Sequence, residues 1–196
     1  MDEQHDHDGD DHSRSTIITR RLVLKTPSDD ERGAIVALAA DPGIAGNLAA
    51  APGDYGRLGG RSFVVVGRAG RAVVGVTGFG PMIDRNGAVE IATWIGEPYW
   101  GRGYATEASQ AVIDAAFGET GVSALWCSKR VTNDRARRVI EKCGFQFRET
   151  GMVRSPVTMG AVPVERFVLE RRNWISLKSW GAAMAGESDA AHNGPI

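Results

Sequence analysis

The sequence predicts an α/β fold with a largely antiparallel sheet, and three observations support this prediction. Hydrophobic residues alternate between the period of a strand and that of a helix over residues 21–170. The elements follow the order β-α-β-β-β-α-β-α-β-β, with no internal repeat. At 196 residues the chain has the length of one compact domain. We therefore expect a single domain over residues 16–180, flanked by two tails.

The first half of the chain predicts a strand, a helix and three further strands. Arg21–Lys25 (RLVLK) has strand character, and Ser28 opens a helix through Ala40 with a capping-box pattern. Residues 41–61 are rich in Gly and Pro and predict no element. The three strands that follow, the first two joined by a turn at Ala69-Gly70, are Phe63–Arg68, Ala72–Phe79 and Ala88–Gly96.

The second half alternates helix and strand and closes with two strands. Apolar residues at helical spacing predict a helix over Thr106–Phe117, and Val122–Cys127 follows as a short buried strand. Asn133 begins another helix, which we expect Gly144 to end in the left-handed conformation. The last two predicted strands are Phe145–Thr150 and Val164–Glu170.

Charge and composition exclude several classes of protein. Lys and Arg number 23 against 24 Asp and Glu, a net charge of -1, so the footprint of a nucleic-acid-binding protein is missing. No apolar stretch approaches the roughly 18 residues of a membrane span. Two cysteines, Cys127 and Cys143, indicate reduced thiols and no disulfide framework. The acidic residues 1–15 are unlike a secretory signal, and we expect a cytoplasmic protein.

Both ends of the chain are predicted to be tails. Residues 1–15 carry almost no apolar side chain and cannot offset the entropy of ordering, so we expect a disordered acidic and His-rich tail. Residues 181–196 are small and polar, which predicts a flexible C-terminal tail. The histidines of the first tail could ligate a metal, but without a fixed backbone a solvated tail is favoured. No metal site is expected.

The segment Ile95–Thr106, IGEPYWGRGYAT, carries the strongest functional signal. A strand here runs through Gly101-Arg102-Gly103 directly into a helix. Glycines at such a junction let several backbone N–H groups point the same way, and the helix N-terminus adds partial positive charge. This predicts a cradle for a pyrophosphate, with a glycine-rich turn that binds nothing as the alternative. The third glycine of the dinucleotide fingerprint and the Gly-Lys-Ser/Thr of a Walker loop are both absent.

Two segments together resemble the GNAT superfamily of N-acyltransferases, specifically its ribosomal-protein N-terminal (Rim-type) acetyltransferase branch. They are AVEIATWIGEPYWGRGYATEA and, one helix and one strand later, NDRARRVIEKCGF, and a strand ending in LERRNW follows. The resemblance covers about residues 16–176. It implies a mixed, largely antiparallel twisted sheet with helices on both faces. It also implies an acetyl-CoA-dependent N-acetyltransferase, monomer or homodimer, whose partners are acetyl-CoA as co-substrate and an amine acceptor, either a protein N-terminus or a small amine.

By this resemblance, the site of acetyl-CoA follows one strand and the loop after it. The main chain of Trp94 and Ile95 would pair with the pantetheine arm like an added strand, and Asn133 would contact the same arm. The backbone of the phosphate loop would hold the pyrophosphate; this loop comprises Gly101, Arg102, Gly103, Tyr104, Ala105 and Thr106. Trp100 stands where the superfamily usually has Gln or Arg, which leaves Arg102 as the nearby cation.

Glu90 is the candidate general base. It shares one face of its strand with Ala92 and Trp94, and the Rim-type branch places its strand carboxylate at this position, facing the acceptor amine. A carboxylate within reach can take the proton of an ammonium group. The alternative is that Glu90 only pairs with a neighbouring arginine. The general acid is not identified, because Ala136 stands where the branch often has Ser and no Tyr lies between residues 122 and 180.

Other polar residues and other functions receive a plainer interpretation. Glu107 and Asp114 are expected to be surface charges on a helix. Four basic residues could meet the 3'-phosphate of CoA, although a solvated helix face is favoured; they are Arg135, Arg137, Arg138 and Lys142. A non-catalytic acyl-CoA-binding or interaction module of the same fold stays open as an alternative. A nucleotide-binding regulator would fit the glycine-rich turn but not NDRARRVIEKCGF.

Overall fold

The computed structural model describes residues 16–47, 59–154 and 160–180, so both predicted tails lie outside the described residues. The described residues contain eight strands. In chain order these are β1 (Ile17–Ile18), β2 (Leu22–Lys25), β3 (Arg61–Gly67), β4 (Val73–Pro81), β5 (Val89–Ile95), β6 (Ala124–Arg130), β7 (Gln146–Arg154) and β8 (Ala161–Glu170).

The described residues also contain five helices. They are α1 (Asp29–Ala39), α2 (Pro42–Ala45), α3 (Tyr104–Thr120), α4 (Asp134–Lys142) and α5 over residues 171–180. A short 3-10 turn, Glu97–Tyr99, follows β5. None of the helices in the described part of the chain is long and apolar enough to cross a membrane.

All eight strands form one sheet in the order β1-β2-β3-β4-β5-β6-β8-β7. Neighbouring strands are antiparallel throughout, except for the parallel pair of β5 and β6. The prediction of a mixed, largely antiparallel sheet is therefore confirmed.

Helices cover both faces of this sheet. On one face Ser109 of α3 donates a hydrogen bond to Thr93 of β5 at 3.0 Å. On the opposite face α1 packs so closely that a Cβ on Gly96 would lie 2.8 Å from Leu38. The core under α3 is apolar and includes Phe63, Ile91, Val112, Phe117, Leu125 and Phe167. Burying such side chains stabilises the fold by about 1.5–3 kcal/mol each.

Several element boundaries differ from the prediction for identifiable reasons. Helix α3 begins two residues earlier than expected, because Gly103 adopts a left-handed conformation (φ 78°) and places Tyr104 in the first turn. Within the segment 41–61, which predicted no element, Asp41 caps α2 by accepting a hydrogen bond from the N–H of Gly43 at 2.7 Å. The last strand begins at Ala161, and α5 was not predicted.

The two parallel strands separate soon after they meet. Their register pairs only Val89 with Leu125 and Glu90 with Trp126. Beyond this point β5 continues to Ile95 alongside β4 alone, and β6 continues to Arg130 alongside β8. The sheet therefore opens into a V whose two arms are β5 and β6.

Candidate active site

A cleft of about 750 Å³ occupies the opening of the V. It is bounded by β5, the phosphate loop, β6 and the start of α4. Among the residues predicted to bind acetyl-CoA, those that line it are Trp94, Ile95, Gly101, Gly103, Tyr104, Ala105, Thr106 and Asn133. The structure thus brings together residues that are up to 39 positions apart in the sequence, while Arg102 and Glu90 are not among the lining residues.

The backbone of Ile95 is turned towards the cleft. The N–H of Gly96 donates to the carbonyl of Val74 in β4 at 2.8 Å, so the carbonyl of Ile95, across the same trans peptide, points away from β4. The carbonyl of Trp94 faces β4, where it would lie 2.1 Å from a Cβ on Gly75, and the N–H of Ile95 therefore also points into the cleft. At Ile95 the edge of β5 thus presents one donor and one acceptor to the cleft.

Trp100 already uses the acceptor on this edge. Its indole N–H donates to the carbonyl of Ile95 at 2.6 Å, and the guanidinium of Arg135 lies 4.6 Å from its ring centroid. Trp100, which stands where Gln or Arg was expected, thus links the end of β5 to the first turn of α4. The N–H of Ile95 lies beyond the last pairing of β5 with β6.

The phosphate loop has the backbone geometry of an anion cradle. Gly101 (φ 75°) and Gly103 (φ 78°) are both left-handed, a conformation that costs other residues about 1–2 kcal/mol. A Cβ on Gly101 would meet nothing within 4 Å, so glycine is required there by the left-handed backbone and not by lack of room for a side chain. Directly after the loop, the first N–H groups of α3 lack intrahelical partners. A left-handed glycine turn that leads into a helix N-terminus is suited to an anionic ligand.

Arg21 and Glu107 brace the phosphate loop from behind. Arg21 donates to the carbonyl of Arg102 at 2.9 Å and pairs with Glu107 at 2.7 Å, while Thr19 donates to the same carboxylate at 2.6 Å. Burial, the largest single influence, raises the pKa of Glu107, but the hydrogen bonds from Thr19 and Arg21 together hold that pKa below its usual range. Glu107 is therefore a partly buried structural carboxylate, and the prediction that it would be a surface charge was wrong. Its partner lies 86 positions away, which no local pattern indicates.

The start of α4 closes the other side of the cleft. Asn133 caps this helix by accepting a hydrogen bond from the N–H of Ala136 at 3.0 Å. The preceding turn is held by Lys129, whose ammonium group donates to the carbonyls of Arg130 and Val131 and pairs with Glu165 at 2.9 Å. Lys129 is 2% exposed, and the sequence analysis did not single it out.

The basic face of α4 divides between two roles. Arg135, Arg138 and Lys142 line the cleft. Arg137 is instead paired with Glu141 at 2.8 Å and with Glu165 at 3.4 Å. The sequence favoured a solvated face for all four basic residues, but three of them line the cleft, where they could contact an anionic ligand.

Glu90 lies at the point of the V, on the face opposite α3. It is buried, with 8% of its surface exposed, and its register partner Trp126 presents its side chain on the same face. The pKa of Cys127 is raised, first by burial and then by the nearby charge of Glu90, which places the carboxylate beside the apex.

A charged cluster borders Glu90 on this face, and sequence reasoning missed it. Arg85, in the turn between β4 and β5, places its guanidinium 4.2 Å from the ring centroid of Trp126. Glu149 accepts hydrogen bonds from both Arg85 and Arg166, and Arg166 also pairs with Asp84. The two arginines are therefore neutralised by two carboxylates beside the aromatic ring.

Both cysteines are packing residues in the core. Cys127 and Cys143 are free and buried. Burial raises the pKa of the Cys143 thiol to about 12 and raises that of Cys127 as well. A thiol that stays protonated at neutral pH is a poor nucleophile, in agreement with the packing role that the sequence predicts.

This sheet and cleft define the fold class of the acetyltransferases. A GNAT-family acetyltransferase from Bacillus anthracis superposes with a TM-score of 0.64 at 19% identity, covering 80% of this chain and 98% of that chain. RimL, a ribosomal L7/L12 alpha-N-protein acetyltransferase solved with coenzyme A, gives a TM-score of 0.62 at 15% identity, covering 80% and 98%. At such identities the likeness shows the fold.

Sequence comparison identifies the family within this class. Residues 21–146 match the acetyltransferase (GNAT) domain, and the chain belongs to this family. An uncharacterized N-acetyltransferase of Bacillus subtilis, YjdG, is 31% identical over 47% of this chain and 55% of its own length. Another from Bacillus licheniformis, p20, is 27% identical over 43% and 47%. The chain spans about half the length of these curated relatives. The resemblance to the GNAT superfamily is confirmed, and a Rim-type enzyme is among its structural neighbours.

Proposed function

We propose that this protein is an N-acetyltransferase that moves the acetyl group of acetyl-CoA to a primary amine by direct attack in a ternary complex. The observation that carries this proposal is the open edge of β5. There the N–H of Ile95 faces a cleft that begins at the glycine cradle and passes the start of α4. An extended ligand with an anionic end and an amide-bearing arm matches this arrangement.

The cofactor residues predicted from the sequence fit this ligand in most respects. The pyrophosphate would lie against the phosphate loop, with Arg102 and the cleft-lining arginines Arg135 and Arg138 supplying charge. The pantetheine arm would lie along the edge of β5 beside Ile95, since the main chain of Trp94 is directed at β4 and the carbonyl of Ile95 already accepts from Trp100. Asn133 would contact the same arm. Two structural neighbours bind such ligands: RimL is solved with coenzyme A, and the immunity acetyltransferase MccE with acetyl-CoA and AMP.

Proton removal and attack on the thioester each have a candidate group in this chain. Glu90 accepts the proton of the ammonium group, directly or through water, and frees the amine for attack on the thioester carbonyl. The N–H of Ile95 donates to the carbonyl oxygen as negative charge develops there. The carbon–sulfur bond breaks, CoA departs with its electron pair, and the nitrogen loses its second proton to water as the amide forms. The high pKa of both cysteines supports direct transfer over an acyl-enzyme.

The acceptor would approach from the face that carries Glu90. That face is lined by Trp126 and by the carboxylates Asp84 and Glu149, each already paired with an arginine. Both a protein N-terminus and a small amine remain candidate acceptors. We also propose that residues 16–180 form the single catalytic domain and that the protein acts in the cytoplasm.

A non-catalytic acyl-CoA-binding module is the second candidate. The observation that favours it is the presence of Ala136 at the position where the Rim-type branch often has Ser. The presence of Glu90, buried at the apex of the V, opposes it.

Mass spectrometry separates the two candidates. The protein is incubated with acetyl-CoA and a panel of peptides with different N-termini, polyamines and other small amines. The enzyme proposal predicts at least one acceptor that gains a single acetyl group in a protein-dependent manner. Binding of acetyl-CoA without acetylation of any amine would favour the non-catalytic module instead.

A further inference from the structure

We propose that Ser128 is a catalytic residue whose hydroxyl donates a hydrogen bond to the sulfur of CoA as it leaves. This inference rests on the proposed function and supplies a group for the step to which sequence analysis assigned none. It is carried by the position of Ser128 in the V, by the state of its hydroxyl and by the chemistry of the leaving group.

Ser128 lies on the arm of the V opposite Glu90. The last pairing of the arms joins Glu90 to Trp126, and Ser128 follows Trp126 by two residues on β6, so it shares the face of Trp126. Because parallel partners present their side chains on the same side of a sheet, Ser128 and Glu90 look towards the same side from opposite arms. Ser128 also lines the cleft. A thioester positioned for attack by an amine at Glu90 would therefore lie beside it.

The hydroxyl of Ser128 is free to donate a hydrogen bond. Its Oγ atom is buried, and it has no hydrogen-bond partner in any of the three segments that the structure describes. Burying a hydroxyl without a partner costs about 1–3 kcal/mol. Ser109, another buried serine that lines the cleft, donates to Thr93 instead. The missing hydrogen-bond partner therefore distinguishes Ser128 from Ser109, although both serines line the cleft.

Other residues near the apex are less suited to this role. Cys127 points to the α3 side among the core residues, and its raised pKa keeps its proton in place. Ala136 has no polar side chain. Lys129 is occupied by Glu165 and by two carbonyl groups.

The proposed step balances without a free acid. Glu90 takes one proton from the ammonium group, and the free amine then forms its bond to the carbonyl carbon. The nitrogen loses its second proton to water as the amide forms. The electron pair of the carbon–sulfur bond moves to sulfur, so CoA forms as a thiolate. Ser128 keeps its proton and stabilises the thiolate by a charge-assisted hydrogen bond. Solvent then protonates the released thiolate.

The thiol pKa of bound CoA measures this hydrogen bond without knowledge of the acceptor. CoA is titrated from pH 6 to pH 10 in complex with the full-length protein, and thiolate is followed by its ultraviolet absorbance. The proposal predicts a lower thiol pKa for bound CoA in wild type than in Ser128→Ala, by about one unit, which is tenfold in thiolate affinity. The buried protein thiols do not interfere below pH 10, because the pKa of Cys143 is about 12 and that of Cys127 is also raised.

Three controls make the result specific to the hydroxyl. Ser128→Thr keeps a hydroxyl and should restore the wild-type thiol pKa. Ser109→Ala removes a serine hydroxyl from the same cleft and should leave the thiol pKa of bound CoA unchanged. Ser128→Ala should melt at or above the wild-type temperature, because it removes a buried hydroxyl that has no hydrogen-bond partner among the described residues.

The possible outcomes separate this inference from the proposed function. If CoA binds wild type and Ser128→Ala with the same thiol pKa, the role of Ser128 is overturned while the acetyl-CoA site stands. If CoA binds no variant, both proposals fail. Once an acceptor is known, Ser128→Ala should lower kcat by about tenfold to a hundredfold with an unchanged KM for acetyl-CoA.

Discussion

Glu90 and Trp126 are the last residues at which β5 and β6 run side by side. Past this pair the strands diverge, and the N–H of Ile95 is left facing the cleft between them. The candidate base therefore stands at the point of the V, and the predicted binding edge for acetyl-CoA starts a few residues further along the same strand. One irregularity of the sheet thus supplies both the carboxylate and the binding edge.

Coenzyme A should stabilise the folded protein. A ligand present at 100 times its Kd adds about 2.7 kcal/mol to the free energy of unfolding, which for a domain of this size raises Tm by about 5–10 °C. Differential scanning fluorimetry with CoA, acetyl-CoA, ATP and NAD checks this. ATP and NAD should leave Tm unchanged, and a shift caused by a nucleotide but not by CoA would refute the acyl-CoA assignment.

Replacing Gly103 with Asp should weaken CoA binding by far more than it weakens folding. A Cβ on Gly103 would lie 3.3 Å from the guanidinium of Arg21, so the new side chain would disturb the brace of the phosphate loop. It would also strain the left-handed backbone against which the pyrophosphate would lie. Gly121→Asp is the matched control, because Gly121 is also left-handed (φ 66°) but lies at the far end of α3. Calorimetric Kd values and melting curves for both variants give the comparison. Equal losses of affinity in the two variants would favour a glycine turn that binds nothing.

Glu90→Gln should keep CoA affinity and lower turnover by about 10² to 10⁴. The phosphate loop is untouched, but the amide cannot take the proton of the ammonium group, so the acidic limb of the pH–rate profile should flatten. Glu107→Gln provides the contrast, since this carboxylate only braces the loop through Arg21. Its loss should appear in stability rather than in the pH profile of turnover. A folded Glu90→Gln variant with wild-type turnover and an unchanged profile would remove Glu90 from the mechanism.

Glu107 should make part of the stability depend on pH. Because its pKa is lower in the folded protein than in the unfolded chain, it binds its proton more weakly when folded. Its contribution is present above about pH 4.3, the ordinary pKa of Glu, and disappears as pH falls through the folded value. Urea unfolding at pH 7 and at successively lower pH should show wild type more stable than Glu107→Gln by about 1–3 kcal/mol at pH 7. The two proteins should converge in acid, and a difference that does not shrink as pH falls would contradict this account.

Much of the fold could be predicted because its signals are local. The capping box at Ser28 is present, and Gly144 ends α4 with φ 89° as expected. The cradle glycines stand within one continuous segment, and so the phosphate loop was also predictable. What these features share is that a few neighbouring residues determine each of them.

The remaining features depend on contacts between distant segments. The brace from Arg21 to Glu107 spans 86 positions, and the charged cluster joins Asp84 to Arg166 across 82. The direction of the Trp94 carbonyl depends on which strand lies beside β5, which periodicity cannot specify. The open hydroxyl of Ser128 is likewise visible only when every neighbour has a position.

The product balance of the reaction tests the central claim most directly. The protein is mixed with acetyl-CoA labelled in its acetyl group and with the acceptor found in the amine screen, and free CoA, acetylated amine and labelled protein are measured over time. Direct transfer predicts one CoA released for each acetylated amine, with no label on the protein and loss of both products in Glu90→Gln. Bound acetyl-CoA that yields no acetylated amine, or label that accumulates on the protein before any amine is acetylated, would contradict the account.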